Sequence, residues 1–314
     1  MSERVALRVK PLLELLRFSL APSVIADLCA GVALARREPG GGEIVARMAG
    51  VSLLLFCGGM ALNAWVDREE DRQTRPKRPL PSGAIAPALA LGLAILALAG
   101  APALAWVTGG EQRTDAMRWS AAMAGLIVLY HTPLKRSRVL GPLVLGSIRG
   151  ADLLLGAVAA AGLRAGVSFA LPAAIAYAAY VFGASCVAHE EDRHPWMKVV
   201  RAGVVVALGA IAANAVLAAG VAPRFEGSDA SSQLAFAAAV IAIYHLVTVR
   251  SVLQLFKPGA PGLTPLTWYA RALLARISLL PAAATIGAGA PDLGGLALLA
   301  FLATIVLARV IPPT

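Results

Sequence analysis

The chain has 314 residues, of which 58% are hydrophobic and 15% are charged, and its formal net charge is +10. A mean hydropathy of +0.73 excludes an ordinary soluble domain, and the length is sufficient for many membrane-spanning helices. The positive charge is weak evidence for nucleic-acid binding, which needs a basic face on a soluble module. We therefore expect an all-α polytopic membrane protein with no nucleic-acid partner, whose basic loops contact anionic membrane lipids.

Ten apolar segments follow one another along the chain, each close to the roughly 20 residues that a membrane-spanning helix needs. No cleavage signal of small residues follows the basic amino terminus, so the first segment is expected to remain as an uncleaved span. Lys and Arg are concentrated in alternate loops, which favours a cytoplasmic amino terminus in the cell (inner) membrane. A single domain over 1–314 is expected, with the tenth segment as an additional carboxy-terminal span. The segments are 18–36, 46–66, 84–108, 115–132, 139–162, 168–188, 199–221, 231–256, 270–289 and 292–310.

A dense polar stretch, residues 63–83, continues directly from the second apolar segment. Asn63, Asp67 and Asp71 recur at i, i+4 spacing and therefore share one face of a helix. Carboxylate and amide oxygens are ligands that Mg²⁺ accepts, and a run of basic residues follows within about two turns. The alternative is a solvated charged loop, but the regular spacing, the two basic-residue–proline elements and the final Ser-Gly turn argue against it.

A second acidic cluster, residues 189–192, lies at the end of the sixth segment, just as the first lies at the end of the second. Both acidic loops are expected on the cytoplasmic side, four spans apart. This arrangement predicts two pseudo-repeated helical halves around a central cavity, with a divalent cation between the two acidic clusters.

The first polar stretch resembles the first aspartate-rich motif of the UbiA superfamily of intramembrane prenyltransferases. The pattern that carries the resemblance is Asn-x-x-x-Asp-x-x-x-Asp followed by Arg-Pro-x-Arg-Pro-Leu-x-Ser-Gly. The second acidic motif of that family corresponds to residues 188–192, and its tyrosine-lysine loop corresponds to residues 130–135. Two further stretches, 58–63 and 149–156, are similar to the branch found in bacterial Ebo-type gene clusters.

The resemblance implies a bundle of nine transmembrane helices, here with a tenth, and an enzyme that transfers a prenyl group from a prenyl diphosphate to a lipophilic, possibly aromatic, acceptor. Mg²⁺ and fixed cations would neutralise the departing diphosphate. Asp67, Asp71 and Asp192 are the expected catalytic residues and metal ligands. Glu191 is expected as a further metal ligand or as a support for the ligands.

The same resemblance implies that Arg75, Arg78 and Lys135 bind the diphosphate, because guanidinium and ammonium groups both recognise phosphate oxygens. Asn63 is expected to contribute an oxygen ligand or to orient the diphosphate. Tyr130 is expected to orient either the phosphate or Lys135, although it stands one residue further from the lysine than in the usual family pattern.

Two charged residues, Arg149 and Asp152, lie within the fifth segment at i, i+3 spacing. A charge inside the membrane is costly unless it is paired or faces a cavity. Either Asp152 contacts the acceptor and Arg149 the diphosphate, or the two residues form a mutually neutralised structural pair. Asp27 in the first segment raises the same question, and Arg17 at the inner end of that segment is placed to reach the same cavity.

Two alanines depart from the family pattern, because Ala64 and Ala188 stand where each acidic motif normally has a carboxylate. Two function classes therefore remain: a membrane prenyltransferase, and an attenuated protein of the same fold that binds or handles a prenyl lipid or metabolite. A transporter is a distant third. His189 and His194 are expected to be solvated, and His245 is expected to pack within a helix.

Overall fold

The computed structural model describes residues 2–36, 40–132, 134–190, 196–220 and 276–311, together with a few isolated positions between 236 and 273. Within these residues the structure is helical and contains no strand. Short 3₁₀ turns occur at Phe18–Leu20, Gly110–Gln112 and Leu134–Arg136. The helices, numbered in chain order, are α1 (Ser2–Leu15), α2 (Pro22–Ala35), α3 (Gly42–Thr74), α4 (Pro87–Thr108), α5 (Arg113–His131), α6 (Leu140–His189), α7 (Met197–Gly220), α8 (Leu279–Gly287) and α9 (Pro291–Val310).

Six stretches of the described helices are long and apolar enough to cross a membrane. A helix satisfies its backbone hydrogen bonds internally, which is what a chain in hydrocarbon requires. The expected all-α, multi-pass architecture is therefore confirmed. The six stretches are Phe18–Ala35, Gly42–Thr74, Pro87–Thr108, Leu140–His189, Met197–Ala218 and Pro291–Val310.

Helix α6 is broken at Gly162, which adopts φ 79° and ψ 169°. This positive φ is favourable only for glycine, because a Cβ atom would clash with the backbone. The carboxylate of Asp115 accepts a hydrogen bond of 2.9 Å from the backbone N–H of Leu163 and so caps the second half of the helix. The fifth and sixth predicted spans are thus joined by a sharp kink, without the five-residue loop that the sequence suggested.

Helix α2 lies at the centre of the bundle and packs against α3, α6, α8 and α9. Its closest approach is to α6, where two glycines let the backbones meet. A Cβ atom on Gly31 would lie 1.9 Å from the carbonyl oxygen of Leu153, and one on Gly156 would lie 2.5 Å from that of Leu28. Small residues are the usual means of close helix packing in membranes.

Helix α3 is long enough to project beyond the membrane interior. Its 33 residues correspond to roughly 50 Å, whereas the hydrocarbon core of a bilayer is about 30 Å thick. The last turns of α3, which carry Asn63 to Asp71, therefore lie at the membrane edge.

The pseudo-duplication of the bundle stays a prediction. Most of the predicted segments 231–256 and 270–289 lie outside the described residues, and only α8 represents the second of them. The tenth segment corresponds to α9, which packs against α2 and α8. Its status as an addition to a nine-helix domain, and the single-domain organisation, also stay predictions.

The contact between α2 and α6 makes a stability prediction. Gly31→Ala should lower the unfolding free energy by about 1–3 kcal/mol, because the new methyl group meets backbone that has no room to move. Gly92→Ala is the matched control, since a Cβ atom at Gly92 would meet nothing within 4 Å. Thermal unfolding in detergent measures both, and equal melting temperatures for the two variants would contradict the proposed close packing.

Candidate functional site

Polar side chains from four parts of the chain meet at the carboxy-terminal end of α3. We call them the polar cluster. It consists of Arg17, Asn63, Asp67, Asp71, Arg75, Arg78 and Lys135.

Lys135 links the turn after α5 to the end of α3. Its ammonium forms an ion pair with Asp67 and donates a hydrogen bond of 3.3 Å to the amide oxygen of Asn63. The side chains of Asp67 and Lys135 are only 20% and 14% exposed. The structure therefore brings three of the predicted site residues together, and it places Asn63 and Asp67 on the same face of α3.

Arg78 links the proline-rich loop to the same helix. Its Nη1 atom donates to both carboxylate oxygens of Asp71 at 2.9 Å, and the two side chains are 12% and 5% exposed. The loop is held in this position because Leu80 and Ile85 are buried against Leu15 of α1. The prolines and this small apolar cluster restrict the loop, and the guanidinium of Arg78 is therefore held next to Asp71.

Arg17 approaches the polar cluster from the junction between α1 and α2. It is half-buried, and its backbone has φ 45°, in the left-handed region that non-glycine residues rarely adopt. Burial lowers its pKa to about 10, as do the neighbouring charges of Arg78 and Arg75, while the carboxylates of Asp67 and Asp71 oppose this effect. Arg17 therefore remains charged at neutral pH in a place where positive charge is in excess.

Among the described residues, the polar cluster holds four cations and two carboxylates, so it attracts anions. A polar pocket opens among these side chains, and the carboxylate of Glu14 also lines it. It is lined by Glu14, Leu15, Arg17, Met60, Asn63, Ala64, Asp71, Arg78, Pro79, Leu80 and Pro81.

An apolar cavity lies beside the polar one, between α2, α3, α5 and α6. Met60 lines both cavities. The wall consists of Val24, Ser52, Leu55, Phe56, Gly59, Met60, Met123, Ile127, Tyr130, His131, Leu145, Ile148, Arg149 and Asp152.

The charged residues of the fifth predicted segment, Arg149 and Asp152, belong to one buried network with Asp27 of α2. Arg149 forms an ion pair of 2.8 Å with Asp27 and donates to the hydroxyl of Tyr177 at 3.0 Å, and Tyr177 in turn donates to Asp27 at 2.8 Å. Asp152 accepts hydrogen bonds of 2.7 and 2.9 Å from the hydroxyl of Ser52 and interacts electrostatically with Arg149 and Asp27. The close ionic partner of Arg149 is therefore Asp27 on α2, and Asp152 is a more distant member of the same network.

The second acidic motif is described only as far as Glu190. Glu191 and Asp192, the predicted ligands from this motif, lie outside the described residues. Glu190 is completely buried, forms an ion pair of 3.1 Å with Arg138, and accepts a hydrogen bond of 2.7 Å from the backbone N–H of Trp196. The sequence analysis placed Glu190 only within the second acidic cluster, and its pairing with Arg138 was not expected because Arg138 is 52 positions away and nothing in the local pattern marks the pair.

His131 is a second residue that sequence reasoning missed. Its side chain is only 3% exposed and lines the apolar cavity, with its ring at the edge of the half-buried Tyr130 ring. A signal for it was present, since the tyrosine-lysine spacing here is one residue longer than usual. The usual spacing to Lys135 falls on position 131, where a histidine stands.

Both alanines that replace family carboxylates pack against apolar side chains. Ala64 contacts the small cluster that contains Leu12, Leu15 and Leu80, and Ala188 packs against the main core. Ala188 therefore lies against the apolar core, whereas Ala64 lies at the boundary between the small apolar cluster and the polar pocket that Arg17 and Arg78 also line.

The oxygen ligands on α3 suit a magnesium ion that shares its coordination with a substrate. No group of three or more His, Cys, Asp or Glu residues that could hold a metal occurs among the residues that the structure describes. Asp67 and Asp71 offer two carboxylates, and Asn63 offers one amide oxygen. Mg²⁺ usually binds through one or two carboxylates plus phosphate oxygens and water, so this ligand set fits the ion when a phosphate is also present.

The fold and the site define a polytopic helical-bundle protein with a cationic, oxygen-rich site next to an apolar cavity. The chain belongs to the UbiA prenyltransferase family, whose family model matches residues 24–255. The expected superfamily and its helical fold are thereby confirmed.

Three relatives illustrate the similarity. The chain is 32% identical over 109 residues to a digeranylgeranylglyceryl phosphate synthase of Methanothrix thermoacetophila (34% of this chain, 39% of the relative). It is 31% identical over 155 residues to a protein of that name from Ignicoccus hospitalis (49% and 48%), and 36% identical over 162 residues to a protoheme IX farnesyltransferase of Anaeromyxobacter sp. (49% and 51%). The matches span about half the length of these relatives or less, and they give no support to the Ebo-type branch.

Two solved structures share the fold. One, described in work on digeranylgeranylglyceryl phosphate synthase in membranes, superposes with a TM-score of 0.61 at 19% identity and covers 90% of this chain and 98% of the other. The second is the apo structure of a UbiA homologue from Aeropyrum pernix, with a TM-score of 0.59 at 23% identity and coverage of 85% and 97%. At these identities the likeness shows the fold.

Proposed function

We propose that this protein is a membrane prenyltransferase that moves a prenyl group from a prenyl diphosphate to a lipophilic acceptor, with Mg²⁺ assisting the departure of diphosphate. The observation that carries the proposal is the polar cluster, with its excess of cations, directly beside an apolar cavity. A prenyl diphosphate has the matching form, since a polyanionic head is attached to a hydrocarbon tail. The family membership and the relatives' names, which include prenyl-transferring enzymes, support the same reaction class.

In this proposal the diphosphate lies in the polar cluster. Lys135, Arg78 and Arg17 approach from three different segments and provide ammonium and guanidinium donors. Arg75, which lowers the pKa of Arg17, adds to the same positive field. Fixed cations of this kind stabilise the negative charge that develops on a leaving diphosphate.

Mg²⁺ would be held by Asp67 and Asp71 of α3, with Asp192 or Glu191 as further ligands and Asn63 as an oxygen ligand or an orienting group. A bound ion would supply a Lewis acid that neutralises charge on the leaving diphosphate. Asp67 and Asp71 are paired with Lys135 and Arg78, so to hold a metal each carboxylate would have to release its cation.

This exchange couples the two ligands. A metal that takes Asp67 and Asp71 leaves Lys135 and Arg78 without their carboxylates, and a diphosphate that takes the two cations leaves the carboxylates without theirs. An unpaired charge with little exposure is costly. Both ligands together restore full pairing, since the metal satisfies the carboxylates and the diphosphate satisfies the cations.

The prenyl chain would lie in the apolar cavity, whose wall is largely aliphatic and aromatic side chains such as Leu55, Phe56 and Ile127. Exclusion of water from this cavity strengthens the electrostatic interactions in the cluster and protects an allylic cation from hydrolysis. Tyr130 lines the same wall near the cluster and is placed to orient the head of the substrate.

A second candidate function is the binding or handling of a prenyl lipid without chemistry. The observation that favours it is the absence of a carboxylate at two positions where the family pattern has one: Ala188 packs against the main core, and Ala64 lines the polar pocket without supplying an oxygen ligand. The two candidates share the binding site and differ only in turnover.

The cellular setting belongs to the proposal. The excess of Lys and Arg in alternate loops supports a cytoplasmic amino terminus and cytoplasmic acidic loops in the cell (inner) membrane. The proposed assignment to the Ebo-type branch rests on the stretches 58–63 and 149–156 alone. The proposed acceptor class is a lipophilic molecule, and aromatic molecules belong to that class.

Coupled binding gives the first test. Isothermal titration of the protein in nanodiscs should show that inorganic diphosphate binds at least about 10-fold more tightly with Mg²⁺ than with EDTA, a coupling of ordinary size. Asp67→Asn should abolish this gain, and Lys135→Met should weaken diphosphate binding. Arg72→Met is the matched control, because Arg72 pairs with Glu69 on the exposed face of the same helix. Equal affinities with and without Mg²⁺ would refute the exchange.

Turnover gives the second test. Farnesyl diphosphate and Mg²⁺ should release diphosphate only when a suitable acceptor is added, and a panel of a glyceryl phosphate lipid, protoheme IX and a simple phenol covers the main acceptor types. Asp71→Asn should reduce release at least about 100-fold, since the lost charge acts on the leaving group. Binding of farnesyl diphosphate with no product from any acceptor would instead favour the handling function.

A further inference from the structure

His131 is a buried polar group that the proposed binding of metal and diphosphate leaves without a role. Its imidazole is 3% exposed and forms part of the wall of the apolar cavity. Its Nδ1 atom is buried and has no hydrogen-bond partner among the described residues. A buried polar atom without a partner costs free energy, so this nitrogen is in place for something that the ligand-free protein lacks.

His131, the last residue of α5, lies beside Gly59 of α3. A Cβ atom at Gly59 would lie 3.9 Å from Nε2 of His131. Gly59 precedes Asn63 by four residues, which is a rise of about 6 Å along the helix. The imidazole therefore lies one turn below the polar cluster, where the apolar cavity begins.

This is where the reacting atoms of a prenyl transfer would meet. A diphosphate in the polar cluster and a tail in the apolar cavity place the first carbon of the prenyl chain at the junction between them. The acceptor must approach the same carbon. Asp152 is too deep for this role, because Ser52, which binds it, precedes Gly59 by seven residues, or about 10 Å along α3.

The other polar groups of the cavity wall are not suited to take a proton there. Ser52 and Asp152 bind each other, Arg149 is a cation paired with Asp27, and Tyr130 carries a neutral hydroxyl. A neutral imidazole has one nitrogen that accepts a proton and is the commonest general base in enzymes. The charged groups that surround it are Lys135, Asp67 and Arg17.

We propose that His131 is the general base that removes the proton from the acceptor during prenyl transfer, and that the acceptor therefore carries its nucleophile as an O–H or N–H group. The inference rests on the proposed prenyltransferase function. The bond between the prenyl carbon and the diphosphate oxygen breaks, and the diphosphate leaves with the electron pair. The acceptor oxygen or nitrogen bonds to that carbon, and its proton moves to the imidazole. The released diphosphate stabilises the imidazolium, against the nearby charges of Lys135 and Arg17, until the imidazolium returns the proton to water.

The experiment compares His131→Gln with the wild type in nanodiscs. Gln has a similar size and a polar amide but no basic nitrogen. Binding of farnesyl diphosphate with Mg²⁺ should stay within about twofold of the wild type, whereas transfer to the hydroxyl-bearing acceptors of the panel should fall at least about 100-fold, as expected for loss of a general base. Thr132→Val is the matched control, because Thr132 is an exposed neighbour at the same helix end.

A second variant separates chemistry from structure. His131→Gly should also bind farnesyl diphosphate and transfer slowly, and added imidazole should restore at least about 10-fold of the lost rate, while imidazole should leave His131→Gln unchanged. Transfer by His131→Gln at more than half the wild-type rate would overturn the inference and assign the proton to the departing diphosphate. Loss of farnesyl diphosphate binding in both variants would overturn it in favour of a structural role. Failure of the proposed function has a different signature, since the wild type itself would then form no product.

Discussion

The structure around the end of α3 depends on the compensation of charges that have little access to water. Asp67 and Asp71 are each held by one cation, and the two cations come from different parts of the chain. These ion pairs fix the turn after α5 and the proline-rich loop to a single helix. Arg17, at the junction of α1 and α2, is attracted to the same two carboxylates. A site of three converging segments is therefore assembled by electrostatic pairing on a framework of apolar helix contacts.

The same constraint leaves an excess of positive charge at the end of α3. Among the described residues, the four cations of the polar cluster accompany the carboxylates of Asp67 and Asp71 and that of Glu14, and the left-handed backbone of Arg17 holds one of these cations close to two others. Such an arrangement is unfavourable in isolation and is stabilised by a bound anion. Ala64 lines the same polar pocket and supplies no carboxylate, so the positive excess is not reduced at that position.

Much of the helical framework follows from the sequence, because apolar length and the i, i+4 spacing of Asn63, Asp67 and Asp71 are local properties of the chain. The kink at Gly162 was invisible in the pattern, since Ala-Gly runs permit a straight helix as well as a break. Pairs between distant positions were also beyond the sequence, since the close ion pair of Arg149 is with Asp27, 122 positions away, and Asp152 at i, i+3 is hydrogen-bonded to Ser52. His131 was missed because the tyrosine-lysine motif was aligned on Tyr130, although the usual spacing to Lys135 falls on position 131.

The charged residues lie at two depths along α3, one at the level of Ser52 and one at the level of Asp67, and the sequence alone did not distinguish them. Fifteen residues separate Ser52 from Asp67, which corresponds to about 22 Å of helix, so the pair of Ser52 and Asp152 lies well inside the membrane while Asp67 lies at its edge. A charge at the deeper level is tolerated only when it is neutralised, and Arg149, Asp27 and Tyr177 meet that condition by binding one another. The inner network therefore stabilises the far wall of the apolar cavity and ties α2 to α6. Asn63 and the polar cluster lie nearer the carboxy-terminal end of α3, and His131 lies about one turn of α3 deeper, beside Gly59.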